Sequence, residues 1–345
     1  MTVPDAWAKL PGDGSHLPVA DHGTDVAAVM ESLLDAGWSD RFARVLGRPL
    51  GGIERSRMIA AAFLHDMGKA NLGFWRRQIE GQPKVGHLAP LFENHSRLAP
   101  ILRGLCDLWG VDIVLAMLAH HGRPAREAAD GIGSRNWSSA EGYDPIAQLL
   151  TLVGTARSRH PAAFAPGGPL DPRAVSLFAG LLSLADWIGS LAERFPLDGV
   201  TGEARRVRSR AVAAQAVRQL GLGAGDGLRR AAAAATFEGS FDVPAPFPLQ
   251  AAAGGALSER LVILESETGS GKTEAALWRF LRLLAAGEVD SLYLALPTRT
   301  SAVQMHGRVQ RALDRAFPTG ALPATLAVPG YLRAGGVDGQ RLGRW

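Results

Sequence analysis

Leu64-His65-Asp66-Met67-Gly68-Lys69-Ala70 decides how the first two-thirds of the chain is read. The residues before it, Ile59 to Leu64, are almost all apolar, so the His-Asp pair closes a buried helix. A carboxylate there costs several kcal/mol unless it is paired or bound to a metal. Working outward, His22 stands one turn before Val26 on a stripe that continues to Val29 and Leu33. His120 and His121 end a helix that begins near Val111, and Asp186 lies four residues after Leu182 on the apolar face of the 175–191 helix. Seven of the nine histidines fall within residues 16–121. Imidazoles and carboxylates converging from several helices are how helical bundles hold metal ions. Each residue alone is more simply a hydrogen-bonded core side chain; their conjunction in one domain argues for a site.

The order His22, His65-Asp66, Asp186 resembles that of HD-type phosphohydrolases. The fuller strings 22–29, 64–70, 93–96 (Glu-Asn-His-Ser), 119–122 (Ala-His-His-Gly) and 184–190 (Leu-Ala-Asp-Trp-Ile-Gly-Ser) resemble the nuclease domain of the CRISPR-associated nuclease-helicases of type I systems. That resemblance implies one ion held by His22, His65, Asp66 and Asp186. It implies a second held by His95, His120 and His121, with Asp66 bridging and Lys69 facing a phosphate, so that Asp66 and Lys69 are the catalytic pair. Asp25 and Ser190 are expected around the site. His87 is expected in a loop near it, facing substrate at most. Two ions about 3.5–4 Å apart suit phosphodiester hydrolysis, and mixed imidazole and carboxylate donors suit Mn, Fe, Co, Ni or Zn.

Composition sets the frame. The chain has 345 residues, 47% hydrophobic and 20% charged, enough for about two globular domains. Net charge is +4 and the isoelectric point near 9.6, but the cations are nearly all Arg, with Lys only at 9, 69, 84 and 272. This balance invites nucleic acid without establishing it. One cysteine, Cys106, excludes an internal disulfide. Without an apolar run of about 18 residues or a signal pattern, a cytoplasmic protein with no membrane partner is expected.

Residues 1–220 read as all-helical, with Gly/Pro breaks at 47–52, 122–134 and 161–172. Residues 221–248 read as a linker. From 249 the grammar becomes strand (261–264), turn, helix (273–286) and strand (291–296). The expected fold is therefore an all-α HD-type domain followed by a partial α/β P-loop (RecA-like) domain. Gly269-Ser270-Gly271-Lys272-Thr273 has the form of a phosphate-binding loop for ATP with Mg. Gln250 resembles the adenine-reading glutamine of superfamily 2 helicases, and Thr298-Arg299-Thr300 resembles their contact with the DNA backbone.

Read with the resemblance, the chain is a metal-dependent single-strand DNA nuclease recruited to a Cascade-type RNA-guided complex. Its motor part is expected to stop early and not to turn over ATP. A small-nucleotide phosphohydrolase and an inactive DNA- or partner-binding remnant are the alternatives.

Overall fold

The computed structural model describes residues 5–10, 15–121, 134–223, 225–318, 324–328, 331–334 and 337–338. The chain divides into two compact units, residues 1–224 and 225–345.

The first unit is a helical bundle with one short two-stranded piece at its start. Strands β1 (Trp7–Lys9) and β2 (Leu17–Pro18) pair antiparallel. There follow α1 (Val19–Leu33), α2 (Ser39–Leu46), α3 (Gly52–Leu64), α4 (Leu72–Trp75), α5 (Leu98–Trp109), α6 (Val111–Leu118), α7 (Pro145–Arg159), α8 (Pro172–Gly189) and α9 (Gly202–Gln219). Asp144 before Pro145 and Asp171 before Pro172 start α7 and α8 by accepting backbone N–H bonds, and proline fills the first helical position. The expected break at 47–52 separates α2 from α3, and the break at 161–172 precedes α8. Most of 122–134 lies outside the described residues.

Helix α1 is buried on nearly every side, against α3, α8 and α9. Its polar residues must therefore find partners within the protein. Thr24 donates to the Ala20 carbonyl and accepts from Arg159, and Asp21 accepts the Gly202 N–H. Asp25 takes a forked pair of bonds from the Arg205 guanidinium at 2.6–3.1 Å and one from the Ser209 hydroxyl at 2.6 Å. All three are fully buried, so this ion pair rivets α1 to α9. Asp25, expected around the site, is thus engaged in holding α1 to α9. A second buried cation, Arg57 on α3, donates to the carbonyls of Ala163, Ala165 and Gly168 and so fixes the Gly/Pro-rich loop ahead of α8.

The second unit contains α10 (Asp226–Ala234), α11 (Phe237–Phe241), α12 (Pro248–Gly255), α13 (Lys272–Ala285), α14 (Arg299–Ala316) and an antiparallel sheet β3 (Thr325–Val328), β4 (Tyr331–Ala334), β5 (Val337–Asp338). Two expectations change here. Most of the supposed linker, residues 225–248, is part of the unit. Ala232 lies in one apolar cluster with Phe280, Leu281 and Leu284 of α13, and the Phe237 ring meets Trp278 edge-on at 5.7 Å. Segments 261–264 and 291–296 flank α13 as expected, yet neither is hydrogen-bonded as a strand. Their apolar side chains stand in solvent, Leu261 79%, Ile263 74% and Tyr293 88% exposed. A parallel strand needs ladder partners and cover on both faces, and among the described residues these two segments have neither.

Candidate metal centre

Five elements of the first unit deliver ionisable side chains to one point. His22 comes from the first turn of α1, and His65 is the residue on which α3 ends. The chain then leaves the helix at Asp66 and enters a tight turn, Met67–Ala70. His120 and His121 follow the last turn of α6, and Asp186 lies one turn before the end of α8. His87 arrives from the loop after α4.

The donors form two sets sharing one carboxylate. On one side, His22 Nε2 lies 3.4 Å from Asp66 Oδ2 and 3.3 Å from Asp186 Oδ1, and His65 Nε2 lies 3.5 and 3.4 Å from the same two oxygens. On the other, Asp66 Oδ1 is 3.3 Å from His87 Nε2 and 3.6 Å from His120 Nε2, while His121 Nε2 is 3.2 Å from His87 Nε2. Four donors about 2.1 Å from a common ion, arranged tetrahedrally, stand about 3.4 Å apart. The pairs just given, 3.2–3.6 Å apart, lie near that spacing, and each oxygen of Asp66 faces imidazoles of one set.

The hydrogen bonds fix which way the imidazoles face. His65 Nδ1 donates to the Ala62 carbonyl at 2.8 Å and His120 Nδ1 to the Met117 carbonyl at 2.9 Å. In the neutral ring this leaves the Nε2 lone pair aimed at carboxylate oxygens. His65 Nε2, His120 Nε2 and Asp66 Oδ1 are buried with no hydrogen-bond partner. Lone pairs facing carboxylates repel unless a cation lies between, so the donor set fits metal ions.

Burial holds the His22 imidazole down at about 4 and that of His87 at about 3, against the pull of Asp66 and, for His22, Asp186. His65 is also lowered by burial, but Asp66 and Asp186 outweigh this and raise it. Burial works against both anions, yet Lys69 with His65 holds Asp66 well below the usual carboxylate range, and His22 with His65 does the same for Asp186. The site favours neutral His22 and His87 beside ionised carboxylates, the states that bind metal.

His95 is a correction. It is half-buried, its Nδ1 accepts the Arg97 N–H at 3.3 Å, and it belongs to neither donor set. His87 stands where His95 was expected. The cause lies in the turn after Asp66. A Cβ on Gly68 would fall 1.8 Å from the His87 carbonyl oxygen, so only glycine lets that loop close in. The Asn71 amide then donates to the carbonyls of Gly68 and Gly86 and pins it.

Lys69 reaches Asp66 Oδ2 at 2.6 Å and the Ala8 carbonyl at 3.4 Å, so as placed it pairs with a carboxylate. The Ser190 hydroxyl donates to Asp186 Oδ1 at 3.3 Å. Lys9, which sequence patterning did not single out, donates to the Ser190 carbonyl at 3.0 Å. Burial and the nearby Lys69 lower its pKa.

In the second unit, the loop before α13 turns through Gly269 and Gly271, with φ of +86° and +82°. Lys272 Nζ folds back onto the carbonyls of Ser266 and Glu267 at 2.6 and 2.7 Å, Ser270 bonds the latter too, and Thr273 lies in the first turn. Gln250 is buried, with its oxygen accepting the Phe247 N–H and its nitrogen donating to the Gly271 carbonyl. Both ends of its amide are engaged within the unit, next to the phosphate-type loop. Thr298 caps α14 by accepting the Ser301 N–H, and Arg299 and Thr300 are exposed in the first turn of that helix.

Comparison with known proteins places this site in a family. Residues 7–195 match the family described as Cas3, HD domain. The chain belongs to the Cas3 HD-domain family. It is 29% identical to the CRISPR-associated endonuclease/helicase Cas3 of Thermus thermophilus, over 91% of this chain and 36% of that protein. Its fold resembles the crystal structure of T. fusca Cas3-ATP with a TM-score of 0.64 at 24% identity, covering 92% of this chain and 38% of that one. It also resembles a chain in a CRISPR RNA-guided surveillance complex, pre-nicking, with a TM-score of 0.58 at 23% identity over 89% and 38% of the two chains. The chain thus spans little more than a third of these Cas3 relatives. Among the described residues no helix is long and apolar enough to cross a membrane.

Proposed function

We propose that the first unit is a metal-dependent nuclease acting on single-stranded DNA in CRISPR defence. His22, His65, Asp66 and Asp186 would hold one divalent ion, and His87, His120, His121 and Asp66 the other, drawn from Mn, Fe, Co, Ni or Zn. The observation that carries this reading is the pair of orphaned, buried imidazole nitrogens, His65 Nε2 and His120 Nε2, facing the two oxygens of Asp66 and Asp186. When bound, two such ions supply the activated water and the stabilisation of the leaving oxygen that phosphodiester hydrolysis needs.

The chain's own residues do the rest. The Ala62 and Met117 carbonyls orient the imidazoles, and Ser190 steadies Asp186. Lys69 sits close enough to Asp66 to meet a phosphate oxygen or to hold the carboxylate before ions arrive. Trp187, next in the chain to Asp186, is 62% exposed, an aromatic surface of the kind on which unpaired bases stack. The names of the T. thermophilus relative and of the surveillance complex support an endonuclease working beside an RNA-guided partner. The 266–273 loop supports ATP binding with Mg, where Lys272 would leave its carbonyls for phosphate oxygens.

Incubation with circular single-stranded DNA and, separately, free nucleotides tests the reading, in Mn²⁺ or Ni²⁺ with and without chelator. Metal-dependent opening of the circle is expected. Hydrolysis of nucleotides with the circle intact would give the site to a nucleotide phosphohydrolase, and no activity on either would leave a binding remnant.

A further inference from the structure

The metal centre carries two ammonium groups, and they are placed differently. Lys69 has a carboxylate partner at 2.6 Å. Lys9 has none: its only protein partner among the described residues is the Ser190 carbonyl at 3.0 Å. That leaves two of its three N–H bonds without a protein acceptor.

The position is built rather than incidental. Trp7, two residues earlier on β1, is buried against Phe74, with ring centroids 4.7 Å apart, and its indole N–H donates to the Trp75 carbonyl. The Ala6 carbonyl accepts the N–H of Val19, and the Ala6 N–H donates to Gln148. Between these anchors, the Ala8 carbonyl takes a bond from Lys69, so the strand runs along the rim of the metal centre. Lys9 is thereby held half-buried over the end of α8, with Asp186 one turn back and a like charge, Lys69, beside it. A half-buried cation with no carboxylate in hydrogen-bond reach costs free energy, and the longer-range pull of Asp186, Asp25 and Asp66 together with one carbonyl at a helix C-terminus offsets only part of that.

We propose that Lys9 is a substrate-binding residue that takes a phosphate of the nucleic-acid strand next to the one being cut. The role rests on the nuclease reading above. It differs from that of Lys69, which sits on the bridging carboxylate, because Lys9 is the cation left free to neutralise backbone charge. A purely structural lysine, tying β1 to α8, is the rival account, and the two differ in one observable. A phosphate contact releases counterions and a carbonyl contact does not.

The test is binding of a fluorescent oligo-dT to the full chain in chelator, over a series of salt concentrations, so that neither metal nor cleavage enters. For Lys9→Met the dependence of log Kd on log salt is expected to flatten by about 0.7, with binding weakened about fivefold at low salt. Lys9→Arg is expected to restore the slope. Lys9→Gln, which keeps a donor for the Ser190 carbonyl, replaces Lys9→Met if that variant is unstable. An unchanged slope overturns the proposal, whatever happens to Tm, as does a wild-type slope too small to lose one contact. Failure of the wild-type protein to open circular DNA in metal would instead count against the nuclease reading, and the slope would still decide on Lys9.

Discussion

At the scale of single residues, the proposed centre turns on which imidazoles surround Asp66. His87 Nε2 lies 3.3 Å from Asp66 Oδ1, whereas His95 bonds its own turn. His87→Ala is therefore expected to lower bound metal from about two ions per chain to about one and to cut cleavage at least about 100-fold, as loss of a ligand shared with the chemistry should. His95→Ala is expected to leave both unchanged. Elemental analysis of dialysed protein checks the pair, and the reverse result would restore His95 as the ligand.

The same imidazoles set a pH dependence in the metal-free protein. The unfolded chain protonates histidine near 6.5, but folded His22 and His87 resist until about 4 and about 3. Protons then bind the unfolded state more strongly, so stability falls as pH drops from about 6.5 toward 4, by up to about 1.4 kcal/mol per pH unit for each imidazole. His65, raised in the fold, works in the opposite sense and offsets part of this near its own pKa. His22→Gln should flatten the fall in Tm across that window. A Tm equally steep in wild type and variant would show that burial of His22 is not its source.

At the scale of elements, α1 carries both the site and the rivet that holds it. His22 and Asp25 lie one turn apart on the helix, and Asp25 is locked to Arg205 and Ser209 of α9. Removing one partner strands a buried charge, so Asp25→Ala is expected to destabilise the fold by about 3–5 kcal/mol in urea titration. Asp25→Ala combined with Arg205→Met should recover much of that loss. A single variant as stable as wild type would contradict the buried pair.

The elements also show what could be read in advance and why. Helices α1, α3, α6 and α8 were legible because their apolar periodicity is local, and a histidine or aspartate interrupting it is visible in the chain itself. His87 was not legible as part of the centre. It reaches Asp66 through a loop whose path depends on Gly68 admitting its backbone and on Asn71 holding it, neither of which leaves a spacing to read. Lys9 was missed for the same reason, since a three-residue strand has too little pattern to announce what it faces. The partners of Gln250 were not legible either, because a motif names a residue type, while its two amide hydrogen bonds exist only in the folded unit.

At the scale of the molecule, the two units differ in completeness of cover. The first buries a continuous apolar core that reaches from Ala6 to Val217. The second has smaller clusters around α13 and leaves the apolar residues of 261–264 and 291–296 in solvent. The function proposed for the chain therefore rests on the first unit, and within it on the proposed sharing of Asp66 between two ions. Titration of metal-free protein with Mn²⁺ or Ni²⁺ under anaerobic conditions, with opening of circular single-stranded DNA followed at each addition, tests this directly. Activity is expected to lag through the first equivalent and rise with the second, and to vanish in Asp66→Ala at every metal concentration. Full activity at one equivalent, or cleavage that survives in chelator or in Asp66→Ala, would contradict it.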